Sequence, residues 1–196
     1  MMPIFRRLRR RRPFPTDRRY PRDLPPAARE ALRQLKQAHE LMEQNQPSKA
    51  AAIFDKLAEQ GSKREAPRAP QLYLQAGRAW IKAGDIERGV QRLNTGLDLM
   101  VRMKQLRRLP VVSQRILTEL KEHGLTDQAV TFEAKIKNLL ATYGLSLASA
   151  STPTEKPQLP AKCSYCGGNV LPDEVEWFDN QQASCTYCGS ILEAKT

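Results

Sequence analysis

Apolar and polar positions in the middle of the chain follow the spacing of two amphipathic helices. Apolar or small residues recur at helical intervals on both sides of the pair Gly84-Asp85, which interrupts the pattern. They are Tyr73, Ala76, Gly77, Trp80 and Ala83 before the pair, and Ile86, Gly89, Val90, Leu93 and Leu97 after it. Because glycine ends helices and aspartate begins them, the pattern predicts a helix hairpin. Its two helices should approach closely at Gly77 and Gly89, where no side chain separates them.

Weaker copies of this pattern lie on both sides of the central hairpin. The upstream copy has Ala38, Leu41, Asn45, Ala50 and Phe54 at corresponding positions, and the downstream copy has Ile116, Leu120, Gly124, Ala129 and Ile136. The intervals from Ala50 to Gly89 and from Gly89 to Ala129 are 39 and 40 residues. We therefore predict a mainly α fold, with about six helices in one domain over residues 27–144.

The central hairpin resembles a tetratricopeptide repeat. The resemblance depends on Tyr73, Gly77, Trp80, the Gly84-Asp85 turn and Gly89. That family has a period of about 34 residues, so the longer intervals here place extra residues between hairpins, in 61–70 and 104–110. A regular stack of repeats and a looser six-helix bundle both remain open. The resemblance implies an extended surface of the kind that binds peptides or partner domains.

All four cysteines of the chain lie near its C-terminal end, in two closely spaced pairs. The pairs are Cys163-x2-Cys166 and Cys185-x2-Cys188, and 18 residues separate them. Such spacing is typical of a tetrahedral zinc site, because each tight turn supplies two thiolates. Four thiolates leave no open coordination position, so we predict one structural Zn²⁺ rather than a catalytic one. A glycine follows each pair, where the turn favours a positive φ.

Two disulfides or a redox pair are the alternatives for these cysteines. Disulfides would indicate an exported protein, but no apolar signal segment begins the chain. A thioredoxin-like pair needs a strand and helix context that the glycine-flanked turns do not provide. We therefore expect a reducing compartment and predict a cytoplasmic location.

The segment 161–193 resembles a zinc ribbon, in which two cysteine turns flank a short hairpin. Residues 175–177 alternate apolar and acidic side chains, and Asp179-Asn180 offers a turn. The resemblance implies a small β module, over residues 161–196, that folds around zinc bound by all four cysteines. Residues 145–160 are weakly apolar and contain several prolines. We predict that they form a flexible linker, so that the module moves independently of the helices.

The first 26 residues are strongly basic, with nine arginines, no lysine and two aspartates, which gives +7 of the total net charge of +11. Such a block of like charge predicts a disordered basic arm. Four roles remain open: no specific role, contact with nucleic acid, attachment to an anionic membrane surface, or a targeting sequence that is removed. Binding of nucleic acid or membrane would use Arg6–Arg12. No run of about 18 apolar residues occurs, so no transmembrane segment is predicted.

Catalytic motifs do not occur in the sequence. It contains no Gly-rich phosphate loop, no Gly-x-Ser-x-Gly turn and no His-Glu-x-x-His helix. The two histidines, His39 and His123, fall in different hairpins, far from the cysteines. We therefore predict a non-enzymatic protein without a small-molecule substrate.

The distribution of charge along the chain distinguishes two possible functions for such a protein. Residues 160–196 have a net charge of −3 and should repel a phosphate backbone. We therefore predict an adapter or scaffold that binds a protein partner through the helix hairpins, with Trp177 or Phe178 exposed on the module as a second docking element. The alternative is a nucleic-acid or ribonucleoprotein accessory factor in which the basic arm supplies the affinity.

Overall fold

The structure, a computed structural model, describes residues 25–147, 157–165, 170–172, 175–178, 181–185 and 188–194. Within them, six α-helices precede a small antiparallel sheet, so the predicted mainly α fold is confirmed. The helices are α1 (Pro26–Glu43), α2 (Pro47–Lys63), α3 (Ala69–Lys82), α4 (Ile86–Arg102), α5 (Leu109–Glu122) and α6 (Thr126–Thr142), and a short 3-10 helix (Leu106–Arg108) precedes α5. Most of the predicted arm and residues 148–156 of the predicted linker lie outside the described residues.

Proline, glycine and one capping aspartate fix the helix boundaries. Proline lies in the first turn of α1, α2, α3 and α5, where a backbone N–H would have no helical partner. Asp85 precedes α4, and its carboxylate accepts a hydrogen bond of 3.1 Å from the backbone N–H of Arg88. Gly84 ends the preceding turn with a φ of +89°, a conformation that other residues resist. The predicted interruption at Gly84-Asp85 is therefore confirmed.

Helices α3 and α4 approach closely at the two glycines of the central hairpin. A Cβ atom added to Gly77 would lie 2.8 Å from the carbonyl oxygen of Gly89, and one added to Gly89 would lie 2.9 Å from that of Gly77. Neither position has room for a methyl group unless the helices move apart. The side chain of Leu93 fills the space beside Gly77. The predicted close approach is confirmed.

The helices pack around two main hydrophobic cores. Residues such as Leu35 of α1, Phe54 of α2 and Ala76 of α3 form the first core. Residues such as Leu74 of α3, Leu97 of α4, Ile116 of α5 and Ile136 of α6 form the second. Because α3 contributes to both cores, it connects the two halves of the helical domain. Among the described residues, no helix is long and apolar enough to cross a membrane.

Three short strands follow the helices: β1 (Glu176–Trp177), β2 (Gln182–Ser184) and β3 (Ile191–Glu193). They form an antiparallel sheet in the order β1-β2-β3, in which Ala183 pairs with Trp177 on one side and with Leu192 on the other. These three residues are buried, so the sheet has an apolar side. The short hairpin predicted between the cysteine pairs is present as β1 and β2.

The sheet packs against the helices through its apolar side. Trp177 and Leu192 belong to the same buried cluster as Leu35 and Phe54, so the first core extends from α1 and α2 into the C-terminal segment. The division into domains and the flexibility of 145–160 remain predictions.

The prediction that Trp177 or Phe178 is exposed on the module is wrong. Trp177 is 5% exposed, and its indole N–H donates a hydrogen bond of 2.9 Å to the carbonyl oxygen of Pro172. Phe178 is 4% exposed and lies under the guanidinium of Arg108, 4.2 Å from the ring centroid. Both rings are covered because the helical domain supplies partners that the local sequence does not reveal.

Candidate metal centre

Three of the four predicted ligands come together in the structure. The Sγ atoms of Cys163, Cys185 and Cys188 all lie within 4.8 Å of one another, and those of Cys163 and Cys188 are 3.7 Å apart. Each cysteine is buried, with at most 2% of its surface exposed. Among the described residues, this is the one group of three potential ligands at such distances. It could bind a metal ion.

The fourth predicted ligand, Cys166, lies outside the described residues. It is also the one remaining cysteine of the chain. Its role as a ligand therefore stays a prediction that follows from the two-residue spacing to Cys163.

The sulfur spacing fits tetrahedral coordination. Zn–S bonds of about 2.3 Å at tetrahedral angles place two sulfurs about 3.8 Å apart. The 3.7 Å between Cys163 Sγ and Cys188 Sγ agrees with that value. A disulfide would require about 2.05 Å, so these two sulfurs are not bonded to each other.

The second cysteine pair lies in a tight turn held by the backbone. The N–H of Gly189 donates to the carbonyl oxygen of Cys185 at 2.9 Å, and the N–H of Cys185 donates to the carbonyl oxygen of Ser190 at 2.8 Å. Gly189 has a φ of +67°, as predicted for the glycine after this pair. The corresponding Gly167 lies outside the described residues. The turn thus directs the thiols of Cys185 and Cys188 to one point.

Gly189 has a second reason to be glycine, which the sequence did not reveal. A Cβ atom there would overlap Cγ of Gln71, a buried residue of α3. The cysteine turn therefore lies directly on the helical domain. A larger residue at 189 would strain the turn and also push it away from α3.

Ser190 is a polar neighbour of the thiols that sequence reasoning missed. Its hydroxyl oxygen is buried and lies 2.9 Å from Cys188 Sγ. When the cysteine is a thiolate, only the hydroxyl can donate the hydrogen bond, which stabilises negative charge on sulfur. A serine two residues after a cysteine is common in turns of all kinds, so the sequence offered little signal for this role.

The helices and the C-terminal segment carry net charges of opposite sign, and arginines of the helices contact aromatic rings of that segment. Residues 25–147 have a net charge of +7, and residues 157–196 have a net charge of −3. Two arginines of the helical domain lie over aromatic rings of the module: Arg108 over Phe178, and Arg68 over Tyr165 at 4.5 Å. Such cation–π contacts are attractive, and more so when water is excluded.

The two histidines are not part of this group of thiols. His39 lies on α1 against the ring of Phe54, with 5.4 Å between the ring centroids. His123 follows the last residue of α5 and is exposed. The potential metal ligands that come together among the described residues are therefore all sulfur atoms.

Comparison with known proteins adds no further assignment, because no family model, curated protein or solved structure matches the chain.

Proposed function

We propose that this protein is a non-enzymatic adapter or scaffold that binds a protein partner through the surface of its helix hairpins. In this proposal the hairpins are tetratricopeptide-like repeats and the C-terminal module is a zinc ribbon. One structural Zn²⁺ is bound by Cys163, Cys166, Cys185 and Cys188. The observation that supports the proposal most is that three of these thiols belong to the hydrophobic core that α1, α2 and α3 also form.

Burial of the thiols favours a structural metal over a catalytic one. Cys163, Cys185 and Cys188 are nearly inaccessible to solvent, so a substrate would have no direct approach to an ion among them. A metal that joins four thiolates instead stabilises the segments that carry them. Here those segments also cover α3, so the metal would stabilise the helical surface together with the module.

A groove between α4 and α6 is the candidate surface for the partner. It has a volume of about 250 Å³ and is lined by Val90, Asn94, Asp127, Gln128, Thr131, Phe132 and Lys135. This volume is below the roughly 300–1,000 Å³ of pockets that enclose whole small ligands, and it suits a few side chains of a peptide. Phe132 offers an apolar floor, and the side-chain amide of Gln128 can bind a peptide backbone. Val130, also on α6, is 63% exposed.

Affinity capture from the native cell, after nuclease treatment, tests the adapter proposal. Thr131→Arg places a long charged side chain in the groove, and Thr118→Arg makes the same change on α5. Both threonines are exposed and donate a hydroxyl hydrogen bond to the carbonyl oxygen four residues earlier, at 3.0 and 3.1 Å. We expect a protein partner to be lost with Thr131→Arg and kept with Thr118→Arg. Failure to recover any protein that depends on residues 27–144 would contradict the adapter proposal.

Native mass spectrometry tests the metal independently of the partner. We expect one zinc per chain, and loss of that zinc in Cys163→Ser, Cys166→Ser and Cys185→Ser. Ser184→Ala serves as a control, because Ser184 is a buried residue of β2 that directly precedes Cys185. A folded wild-type protein without metal would exclude the zinc site.

A further inference from the structure

Two loops of the helical domain carry exposed positive charge. Five exposed residues, which we call the basic loop cluster, lie at or just after the end of α2 and from the end of α4 to the start of α5. They are Lys63, Arg64, Arg102, Lys104 and Arg107. Glu65 is the one acidic residue within 63–68 and 102–108. These loops also contain the extra residues that lengthen the repeat interval beyond the usual period.

The fold brings the two loops together. The side-chain amide of Gln105 donates a hydrogen bond of 2.8 Å to the carbonyl oxygen of Pro67. Every residue of the basic loop cluster lies within four positions of Pro67 or Gln105 in the sequence. The five charges therefore lie along one edge of the helical domain.

Neutralisation within the chain does not account for this charge. Among the described residues, no member of the cluster takes part in an ion pair. Some exposed cations elsewhere do, as in Arg33 with Glu30 at 2.7 Å and Lys137 with Glu133 at 2.8 Å. Concentrated unpaired charge of one sign raises the local potential and attracts an anionic partner.

Helix stability does not account for all of it either. Lys63 and Arg102 are the last residues of α2 and α4, where a cation interacts favourably with the helix dipole. Arg107, in contrast, precedes the first residue of α5. The N-terminal end of a helix repels positive charge. Arg107, in the short 3-10 helix before α5, therefore gains no stabilisation from the dipole of α5.

An exposed aromatic ring lies beside the cluster. Tyr165 of the module is 51% exposed, and the guanidinium of Arg68 lies 4.5 Å from its ring centroid. Arg68 directly follows Pro67, the residue that joins the two loops. An aromatic ring and a planar cation next to a row of positive charges are the parts of a surface that binds single-stranded nucleic acid, where bases stack and phosphates are neutralised.

We propose that the basic loop cluster and Tyr165 form a binding surface for single-stranded nucleic acid. The phosphates contact the loops of the helical domain, and the module, which is acidic overall, contributes a ring on which a base stacks. Duplex nucleic acid fits less well, because its bases do not present free faces. A membrane surface also fits less well, since Met103 and Leu106 of the α4–α5 loop are partly covered and give no apolar face to insert. This surface shares no residue with the α4–α6 groove and is distinct from the predicted basic arm.

Salt-dependent binding of the full-length protein to a fluorescein-labelled oligouridylate of about 16 nucleotides tests the role of charge. The test variant is Arg102→Gln/Lys104→Gln/Arg107→Gln, and the control is Arg29→Gln/Lys56→Gln/Lys82→Gln. The control residues are also exposed and without an ion pair among the described residues, and both variants remove three charges. We expect the slope of log K against log salt to become shallower by about 2 in the test variant and to stay unchanged in the control.

Substitutions of Tyr165 test the stacking contact separately. We expect Tyr165→Ala to weaken binding of the oligouridylate about tenfold, and Tyr165→Phe, which keeps the ring, to preserve it. Zinc content shows whether the module of each variant is intact. If Tyr165→Ala loses zinc, the two charge variants alone test the proposed surface.

Three results would overturn the proposal. The first is an equal loss of RNA binding in the test variant and the control variant. The second is an affinity for the annealed duplex equal to that for the single-stranded oligouridylate. The third is a test variant that no longer binds phosphatidylserine vesicles but still binds RNA.

Discussion

Asp55 joins three helices through a single carboxylate. It lies on α2 and is 5% exposed. Its oxygens accept a hydrogen bond of 3.0 Å from the indole N–H of Trp80 on α3 and form ion pairs of 3.2 and 2.9 Å with Arg88 and Arg92 on α4. Arg88 also lies over the Trp80 ring, 3.9 Å from its centroid. The carboxylate therefore fixes α2 against the central hairpin.

Neutralising this carboxylate should destabilise the protein. We expect Asp55→Asn to lower the free energy of unfolding by about 2 kcal/mol, less than for a fully buried pair because Arg88 and Arg92 keep partial contact with water. Asp98→Asn is the matched control, since Asp98 and Lys135 are about half exposed and 3.7 Å apart. Its effect should stay below about 0.5 kcal/mol. Urea unfolding followed by circular dichroism measures both, and equal effects would contradict this role of Asp55.

In the proposed zinc site, Ser190 should raise the affinity for the metal without being a ligand. We expect Ser190→Ala to weaken zinc binding about tenfold, because Cys188 loses the hydroxyl that lies 2.9 Å from its sulfur. The stoichiometry should remain one zinc per chain. Competition with a chromogenic chelator measures the affinity, with Ser184→Ala as the matched control. Unchanged affinity in Ser190→Ala would mean that the hydroxyl does not donate to a metal-bound thiolate.

The sequence predicted which thiols come together better than it predicted their surroundings. The spacing of the cysteine pairs is enough to place two thiols on each turn, so Cys163, Cys185 and Cys188 were found without any knowledge of the fold. Ser190 and Gln71 were not found. Their contacts depend on how the second turn lies against α3, a helix more than a hundred residues earlier in the chain.

At the scale of elements, the close contact between α3 and α4 depends on two residues without a side chain, Gly77 and Gly89. We expect Gly89→Ala to lower the free energy of unfolding by about 1–3 kcal/mol, because the added methyl group would meet Ile81 and the carbonyl oxygen of Gly77. Gly61→Ala on α2 is the control. Its added Cβ would have 3.3 Å to its nearest neighbour, Ala69 Cβ. Thermal unfolding should show a much smaller effect for Gly61→Ala, and similar effects would argue against the close approach.

Helices were predictable here because their periodicity is local. Glycine and aspartate at 84 and 85 end one amphipathic pattern and begin the next, and both act through their own backbone or the next turn. The burial of Trp177 and Phe178, in contrast, cannot be predicted from the local sequence. Their burial involves Pro172, Arg108 and both cores, because Trp177 lies in the first and Phe178 in the second. A hydrophobic residue in a short strand is expected to be buried, but the local sequence does not indicate which element covers it.

At the scale of the whole molecule, the module and the helices should lose stability together when the proposed zinc is removed. The chain has two tryptophans, so a Trp80→Phe background leaves Trp177 as the one fluorescent indole. We expect a chelator to shift its emission to longer wavelength, because the buried indole becomes hydrated when the thiols separate. The helical circular dichroism should persist at low temperature, with a lower midpoint of thermal unfolding. Emission that does not change on chelation would contradict this coupling.

The shared first core also has a consequence for biosynthesis. Leu35 and Phe54 leave the ribosome well before Trp177 and Leu192, which complete their cluster. Contacts between residues so far apart in sequence form slowly, and the nascent helices expose apolar surface in the meantime. We expect newly made chains to depend on chaperones until the segment that contains Trp177 and Leu192 emerges. The supply of metal at that moment would then set the yield of folded protein.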